Sequence, residues 1–301
     1  MTTLREVLGQ ADRTRVAVGH FNVSDLAALR AVIEAARELG APVLIGVSEG
    51  EREFMGVRQA AALVESLRDE YGHPVFLNAD HTHSIERAEE AARAGFDEVI
   101  FDASALPLEQ NILETRRAVV ALRSIRDGVV VEGEIGWIGA SSEIHEKAPD
   151  DLELTTPDEA RQFVEETGVD VLAPAVGNAH GLTEGMLKTG AEKRLDLPRI
   201  EAIKLAAQTF MTLHGASGTN ATDLLSAIRA GMTIVHVNTE IRLAWRRGLE
   251  QALRSDPREV APYKILPGAL AAVKEVVRGR LALFNQREQA GVGPARPSTL
   301  H

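Results

Sequence analysis

The sequence predicts an α/β fold, a (β/α)8 TIM barrel with an additional C-terminal helix. Eight short apolar runs recur along the 301 residues, and helical patterns lie between them. The runs are apolar almost without interruption, which is typical of parallel strands that helices cover on both faces. Polar side chains stand at the carboxyl end of nearly every run, where the loops of such a barrel converge.

The eight predicted strands occupy residues 16–21, 42–47, 75–80, 98–103, 129–135, 169–176, 208–214 and 233–238. Eight parallel strands with helical crossovers close naturally into a barrel. An open, doubly wound sheet is the competing arrangement. It is disfavoured because no glycine-rich phosphate turn follows the first strand.

Amphipathic periodicity predicts helices over residues 24–40, 84–95 and 109–126. Ser24 is expected to cap the first of them, because a serine hydroxyl can accept a hydrogen bond from a free N–H of the first turn. Gly40 and Gly95 are expected to end two of these helices in the left-handed conformation.

The connection over residues 137–168 is long for a single barrel unit. We expect a mobile loop over residues 137–150, and then a helix over residues 157–168 that begins at the Thr156–Pro157 pair.

The end of the chain contributes a further helix, predicted over residues 267–284. The polar and glycine-containing segment that follows is expected to be a disordered tail. The predicted organisation is therefore one barrel domain over residues 1–285 and a tail over residues 286–301.

Composition excludes several classes of function. The 33 basic and 44 acidic residues sum to a net charge of −11, which disfavours nucleic acid or an anionic membrane as the partner. A small phosphorylated ligand needs only a local pocket and stays compatible. The absence of cysteine excludes disulfides, zinc–thiolate sites and thiol nucleophiles. No signal peptide or membrane span is evident, so we expect a cytoplasmic protein.

The strand ends carry most of the candidate site residues. They are Asn22, Ser48, Asp80, His81, Asp102, Glu132, Glu134, Asn178, His180, His214, Asn238 and Thr239. Three of them are histidines on three different strands. Neutral imidazoles that converge on one rim can hold Zn²⁺ and leave a fourth position open for catalysis.

Two of these stretches allow other interpretations. His81 and His83 would share a face on an extended chain, as in the HxH motif of metal-dependent hydrolases. Glu132 and Glu134 share a face too, and such a pair is about as often a solvated strand end as part of a site. Both interpretations remain open at this stage.

Glycines suggest where an anion could bind. Gly181 follows His180, and Gly215 opens the run Gly-Ala-Ser-Gly after His214. With Asn238 and Thr239, they would form a phosphate cradle, although ordinary turns use the same residues. None of the six lysines lies in a predicted strand, which argues against a Schiff-base mechanism.

The strand ends, taken in order, resemble the class II, zinc-dependent fructose-bisphosphate and tagatose-bisphosphate aldolases. The matching stretches are HFNV (20–23), PVLIGVSEG (42–50), NADH (78–81), AGFDEVIFDAS (94–104), VEGEIG (131–136), AVGNAHG (175–181), LHGASGT (213–219), NTEIR (238–242) and PYKILP (262–267). The resemblance extends over about residues 5–285, and the combination is far more specific than any single stretch.

The resemblance implies one catalytic Zn²⁺ per chain. Its ligands would be His81, His180 and His214. Glu134 resembles the carboxylate that holds the metal in an alternative position, and Asp102 occupies another polar position of the metal region. The resemblance also leaves room for a monovalent cation near the phosphate.

Two acids are implied to move protons. Asp80 resembles the acid/base that acts on the C4 hydroxyl of the substrate. Glu143, in the loop over residues 137–150, resembles the mobile-loop acid that handles the proton at C3, with Glu146 as the alternative.

The implied contacts with substrate and phosphate are Asn22, Ser48, Gly181, Gly215, Ala216, Ser217, His236, Asn238 and Thr239. Two positions depart from the family pattern. Ile234 replaces a usual lysine, and His236 replaces a usual asparagine that helps to bind substrate. The loop after His180 lacks a usual Tyr-Lys pair, although Lys188 could reach a phosphate.

The implied activity is the reversible, metal-dependent cleavage of a ketose 1,6-bisphosphate, foremost fructose 1,6-bisphosphate, to dihydroxyacetone phosphate and glyceraldehyde 3-phosphate. The alternatives are an aldolase for tagatose bisphosphate or another ketose phosphate, a metal-dependent hydrolase, and a catalytically silent relative that binds a sugar phosphate. The family also suggests a homodimer or homotetramer. Trp245, Arg246 and Arg247 would then lie at an interface or on a solvated helix face.

Overall fold

The structure, a computed structural model of the chain, describes residues 2–136, 138, 144–145 and 153–286. The strands within these residues are β1 (Val18–Asn22), β2 (Val43–Val47), β3 (Val75–Thr82), β4 (Glu98–Phe101), β5 (Val130–Ile135), β6 (Ile144–His145), β7 (Val171–Pro174), β8 (Leu182–Thr183), β9 (Phe210–Leu213) and β10 (Met232–Val237).

The helices of the same residues surround the strands. They are α1 (Leu4–Thr14), α2 (Leu26–Leu39), α3 (Glu49–Met55), α4 (Val57–Tyr71), α5 (Ile85–Ala94), α6 (Leu108–Ile125), α7 (Pro157–Thr167), α8 (Glu184–Thr189), α9 (Leu197–Ala207), α10 (Ala221–Ala230), α11 (Thr239–Ser255) and α12 (Pro262–Phe284).

Eight parallel strands close into a barrel in the order β1-β10-β9-β7-β5-β4-β3-β2. The predicted fold class is therefore confirmed, and each predicted strand overlaps one barrel strand. The additional C-terminal helix is present as α12. The short strands β6 and β8 pair with each other outside the barrel.

Two helix starts differ from the prediction. Asp25, not Ser24, caps α2, because its carboxylate accepts the Ala28 N–H at 2.7 Å. The last helix, α12, begins at Pro262 rather than at residue 267. A proline fits that first position because the N–H groups of a first turn have no acceptor within the helix.

The predicted caps at Gly40 and Gly95 are confirmed, since both end their helices in the left-handed region. Thr156 caps α7 as expected, and its hydroxyl and the Glu159 carboxylate form a reciprocal capping box. The predicted loop over residues 137–150 and the predicted tail lie largely outside the described residues. The domain limits stay a prediction.

The barrel interior changes character along its axis. Its floor is apolar, with α1 packed against strand residues that include Val18, Leu44, Phe76 and Ile234. The next residues upward on the same inner faces are polar and buried. They include His20, Asn78, Glu98, Glu132 and His236. A polar layer inside a barrel leads toward the carboxyl ends of the strands, where the candidate site residues gather.

Candidate active site

Three histidines come together at the carboxyl ends of the strands. His81 lies in β3, His180 follows β7 and His214 follows β9. The ring centroid of His81 is 4.9 Å from that of His180 and 4.9 Å from that of His214. His180 and His214 are buried, and His81 is partly exposed. The three strand-end histidines singled out in the sequence thus meet at one point.

The backbone of β3 directs His81 into this cluster. Its φ of 40° is rare for a residue other than glycine. The pairing of β3 with β4 also shifts register between Ala79 and Thr82, as at a β-bulge. His81 and His83 therefore do not share a face as they would on a regular strand. The His83 side chain is 59% exposed, and its Nδ1 lies 3.2 Å from the carbonyl oxygen of Asp102, so the HxH interpretation is wrong.

A carboxylate joins the histidines to form a possible metal site. His81, Glu134, His180 and His214 each offer a ligand atom within 4.8 Å of the others. Nδ1 of His214 lies 3.1 Å from Oε2 of Glu134. Both atoms are buried, and apart from this ion pair neither has a hydrogen-bond partner among the described residues. Buried polar atoms normally have partners, so this pair fits the ligands of a shared cation.

Two further carboxylates hold the other nitrogens of the imidazoles. Asp102 lies 2.7 Å from Nδ1 of His81, and Glu132 lies 2.6 Å from Nε2 of His214. A carboxylate behind a histidine fixes the tautomer and the ring orientation of a metal ligand. Glu132 and Glu134 are both buried, so the interpretation of a solvated strand end is wrong.

The carboxylates also set the charges of the imidazoles. Burial alone would lower the pKa of His81, but Asp80, Asp102 and Glu134 together raise it to about 9. Burial would also lower the pKa of His214, but Glu132 and Glu134 outweigh burial and raise it well above its usual value. Without a cation, these rings therefore hold protons that a metal ion would displace.

Asp80 lies beside the cluster with one free oxygen. Its Oδ2 accepts a hydrogen bond from the Asn22 side chain at 2.8 Å, whereas the buried Oδ1 has no partner in the described part of the chain. Burial would raise the pKa of Asp80. The surrounding imidazoles of His81, His20 and His214 and the hydrogen bond from Asn22 outweigh burial and hold it well below the usual range. The carboxylate is thus ionised at neutral pH and can accept a proton.

A small pocket opens beside Asp80 and the histidines. Its lining is made of Asn22, Asp80, His81, His180, Gly181, Gly215, Ser217, His236, Asn238 and Thr239. Gly181 and Gly215 have φ angles of 72° and 62°. A Cβ at Gly215 would lie 2.2 Å from the carbonyl oxygen of Ala179, so only glycine fits there. The pocket also lies at the amino end of α11, which begins at Thr239, and the dipole of a helix favours an anion at that end.

Two of the predicted site residues lie elsewhere. The Ser48 hydroxyl caps α3 by accepting the Glu51 N–H and does not line the pocket. Ala216 is buried, and its N–H donates to the carbonyl of His236 at 3.2 Å. Glu143 and Glu146 lie outside the described residues.

Residues 2–289 match the class II fructose-bisphosphate aldolase family. The chain belongs to this family. It is 34% identical to a fructose-bisphosphate aldolase of Staphylococcus aureus over 293 residues, which cover 96% of this chain and 99% of that protein. Among solved structures, the YdjI aldolase from Escherichia coli K12 superposes with a TM-score of 0.80 at 28% identity, covering 96% of this chain and 99% of its own. The protein is accordingly a metal-dependent class II aldolase, a lyase that cleaves a carbon–carbon bond of a phosphorylated ketose.

The two departures from the family pattern prove to be different in kind. Ile234 lies fully buried in the apolar barrel floor, so its change does not touch the pocket. His236 lines the pocket of the aldolase, and its Nδ1 is 3.8 Å from Asp80 Oδ1. Its ring stacks on His20 with 3.6 Å between centroids and on His214 with 4.2 Å. Burial lowers the pKa of His20 to about 4, so the His20 ring at one end of this stack is neutral at pH 7.

Sequence reasoning missed two residues that organise the aldolase site. Glu51 accepts a hydrogen bond from Asn22 at 2.9 Å and pairs with Arg242 at 2.9 Å. Lys193 reaches the carbonyls of Ala179 and Gly181 in the glycine loop after β7, whereas Lys188 pairs with Glu184 on an exposed helix face. Neither residue stands at a strand end, so the strand-end pattern could not single it out.

No helix of the described residues is long and apolar enough to cross a membrane.

Proposed function

We propose that the protein reversibly cleaves a ketose 1,6-bisphosphate, with fructose 1,6-bisphosphate as the favoured substrate, to dihydroxyacetone phosphate and glyceraldehyde 3-phosphate. One observation carries the proposal. Four buried or half-buried metal-ligand side chains lie within 4.8 Å of one another, beside Asp80 and next to glycine loops that can bind phosphate. The names of the relatives support the choice of fructose 1,6-bisphosphate.

The donor set suits Zn²⁺, with His81, His180 and His214 as ligands and Glu134 as a further one. Three imidazoles are a donor set that zinc takes at catalytic sites, and they leave a fourth position open for a substrate oxygen. Glu134 would hold the ion in an alternative position, as the family resemblance implies. When bound, the ion polarises the C2 carbonyl of the ketose and stabilises the negative charge that develops as the bond between C3 and C4 breaks.

Asp80 is assigned the first proton transfer. Its free Oδ1 accepts the proton of the C4 hydroxyl, the electrons of that O–H bond form the C4 carbonyl, and the C3–C4 bond breaks. The aldehyde product leaves, and C3 then takes up a proton. We assign that proton to Glu143, with Glu146 as the alternative, in the loop outside the described residues.

The remaining residues bind and orient the substrate. Gly181, Gly215 and Ser217 offer a concave backbone surface to one phosphate, aided by the amino end of α11. Asn22 holds Asp80 in place through its amide and lies at the pocket wall. His236 stands where the family pattern has an asparagine that helps to bind substrate, and its Nδ1 lies 3.8 Å from Asp80 Oδ1, so it is assigned a contact with a substrate hydroxyl.

The test is a pair of variants assayed with ketose bisphosphates on zinc-loaded protein. Asp80→Ala is expected to lower kcat about 10²–10⁴-fold, the usual contribution of one general acid/base, while zinc content stays at one ion per chain. His83→Ala is the matched control, because His83 is exposed and lies outside the cluster, and it should retain both activity and zinc. Activity of Asp80→Ala within about tenfold of wild type, with zinc bound, would remove Asp80 from this role.

A substrate panel separates the remaining candidates. Fructose and tagatose bisphosphates differ at C4, the carbon on which Asp80 acts, so relative kcat/KM identifies the sugar. A silent relative would bind these compounds without turnover. The isoleucine at position 234 does not support the hypothesis of a silent relative, because its side chain lies in the apolar barrel floor, away from the pocket. A cytoplasmic location remains our prediction, and so does a homodimer or homotetramer. Size-exclusion chromatography with light scattering tests the oligomeric state.

A further inference from the structure

Lys193 places an ammonium group at a point where three backbone carbonyls converge. Its Nζ donates to the carbonyl oxygens of Ala179 and Gly181 at 2.6 Å each, and to that of Gly215 at 3.1 Å. The residue lies in the connection between α8 and α9. Burial lowers the pKa of Lys193 to about 8, so the group remains an ammonium at neutral pH.

The backbone of Lys193 is anchored to the same region. Its N–H donates to the carbonyl of Gly218 at 2.9 Å, and the residue pairs in parallel with Thr219. The side chain donates to carbonyls in the loop after β7 and in the loop after β9, and the main chain is bonded to the loop after β9. Lys193 therefore ties together the two loops that follow the metal-site strands.

Converging carbonyl oxygens repel one another unless a cation lies between them. Proteins use such oxygens to hold K⁺, and an ammonium group carries the same charge and donates hydrogen bonds to the same oxygens. The carbonyls of Gly181 and Gly215 turn toward Lys193, and both residues also line the pocket. The shape of the pocket at these two glycines thus depends on the cation behind them.

We propose that the Lys193 ammonium is a built-in replacement for a monovalent cation, which holds the two phosphate loops in their binding geometry and makes phosphate affinity independent of K⁺ and Na⁺. The inference rests on the proposed function only in treating these loops as the phosphate cradle. Lys193 is a positioning residue, since its contacts are with loop carbonyls. The monovalent cation that the family resemblance allowed is thereby supplied by the chain itself.

The experiment measures the Kd of inorganic phosphate by calorimetry on the zinc-loaded full chain. Wild type, Lys193→Met and the control Lys188→Met are compared at constant ionic strength in tetramethylammonium, potassium or ammonium chloride. Lys188 is exposed and pairs with Glu184, so its variant should behave as wild type. Both should bind phosphate within about twofold in all three salts, whereas Lys193→Met should bind about tenfold more weakly in tetramethylammonium, the cost of losing a charged hydrogen-bond partner.

Potassium or ammonium should then restore much of the affinity of Lys193→Met, because a free cation can enter between the carbonyls. A lysine that only stabilised the fold would show no such rescue. Unchanged affinity of Lys193→Met in tetramethylammonium would overturn the proposal. The proposal would also be overturned if the affinity of the wild-type protein for phosphate rose with K⁺. That measurement tests the proposal even if Lys193→Met does not fold. Turnover is not used, so a protein that binds phosphate as expected but cleaves no ketose bisphosphate would reject the proposed function alone.

Discussion

Glu98 is a carboxyl group in the polar layer of the barrel interior. It is fully buried, its Oε2 accepts a hydrogen bond from the Asn78 amide at 2.6 Å, and its Oε1 has no partner among the described residues. Burial, reinforced by the nearby Glu132, raises its pKa well above the usual value. Below about pH 4.3, the pKa of a glutamate in an unfolded chain, Glu98 is protonated in both the folded and the unfolded protein. As the pH rises above that value, the unfolded chain releases the proton first, so the folded protein loses stability until the pH passes the raised pKa of Glu98.

Replacing Glu98 with glutamine should therefore stabilise the protein more at high pH than at low pH. We expect the melting temperature of Glu98→Gln to exceed that of wild type by about 2–4 °C at pH 8, the shift that ~1 kcal/mol gives in a chain of this order of size. The difference should shrink toward pH 5. Scanning calorimetry on zinc-loaded protein measures it, with exposed Glu109→Gln as the control. A difference that does not change with pH would contradict this role for Glu98.

At the same scale, the sequence identified the candidate residues at the strand ends but not how they pair with one another. Asp80 and the three histidines followed from the rule that such ends converge. The pairing of Glu132 with His214 depends on distances across the barrel, which no local pattern encodes. Lys193 was missed for the same reason, because its partners are carbonyls of distant loops.

Strand β2 makes room for the histidine stack. Gly46 lies beside His20 on the neighbouring β1, and a Cβ at Gly46 would fall 2.1 Å from Cε1 of the His20 ring. The His20 ring in turn stacks on His236, which reaches the pocket. One glycine in a barrel strand thus sets the position of a pocket side chain two strands away.

The variant Gly46→Ala should destabilise the barrel by about 1–3 kcal/mol, the usual cost of overpacking a filled core. It should also change KM more than zinc content, because the displaced His20 ring stacks directly on His236 and reaches the proposed zinc ligand His214 only through it. Gly50→Ala is the matched control: it lies in α3 with nothing near its added methyl group, and alanine favours helix. Urea denaturation and steady-state kinetics of both variants measure the two effects. Equal stability of the two variants would rule out the steric argument.

Among the elements, the apolar barrel strands and several amphipathic helices were predicted, and the shortest helices were not. All eight barrel strands follow from their short apolar runs, and the helices α2, α5 and α6 follow from amphipathic periodicity over ten residues or more. The helices α3 and α8, of seven and six residues, are too short to show a period. Neighbouring Ser and Asp residues can both cap a helix, which is why Ser24 was preferred wrongly over Asp25.

The whole molecule is acidic, and part of that charge converges on one point. Asp80, Asp102, Glu132 and Glu134 all contact or approach the imidazoles of His81 and His214. In the absence of a metal ion, protons on these two rings balance the carboxylates, as their raised pKa values indicate. A divalent cation that binds there must displace the protons while keeping the carboxylate partners, so metal binding, protonation and stability of the barrel are linked.

Chelation of the metal should therefore destabilise the folded protein by an amount that grows with pH. At zinc about 1,000-fold above its Kd the ion adds ~4 kcal/mol to the free energy of unfolding. Between pH 6 and pH 8 the affinity should rise with pH, because His81, with a pKa of about 9, must lose its proton before it can bind the ion. Melting curves with zinc or with EDTA across this range measure the difference, and calorimetry in buffers of unlike ionisation enthalpy counts the protons released. His83→Ala should keep the whole effect and His180→Ala should lose it, whereas a shift independent of pH would mean that the ion binds away from the protonated rings.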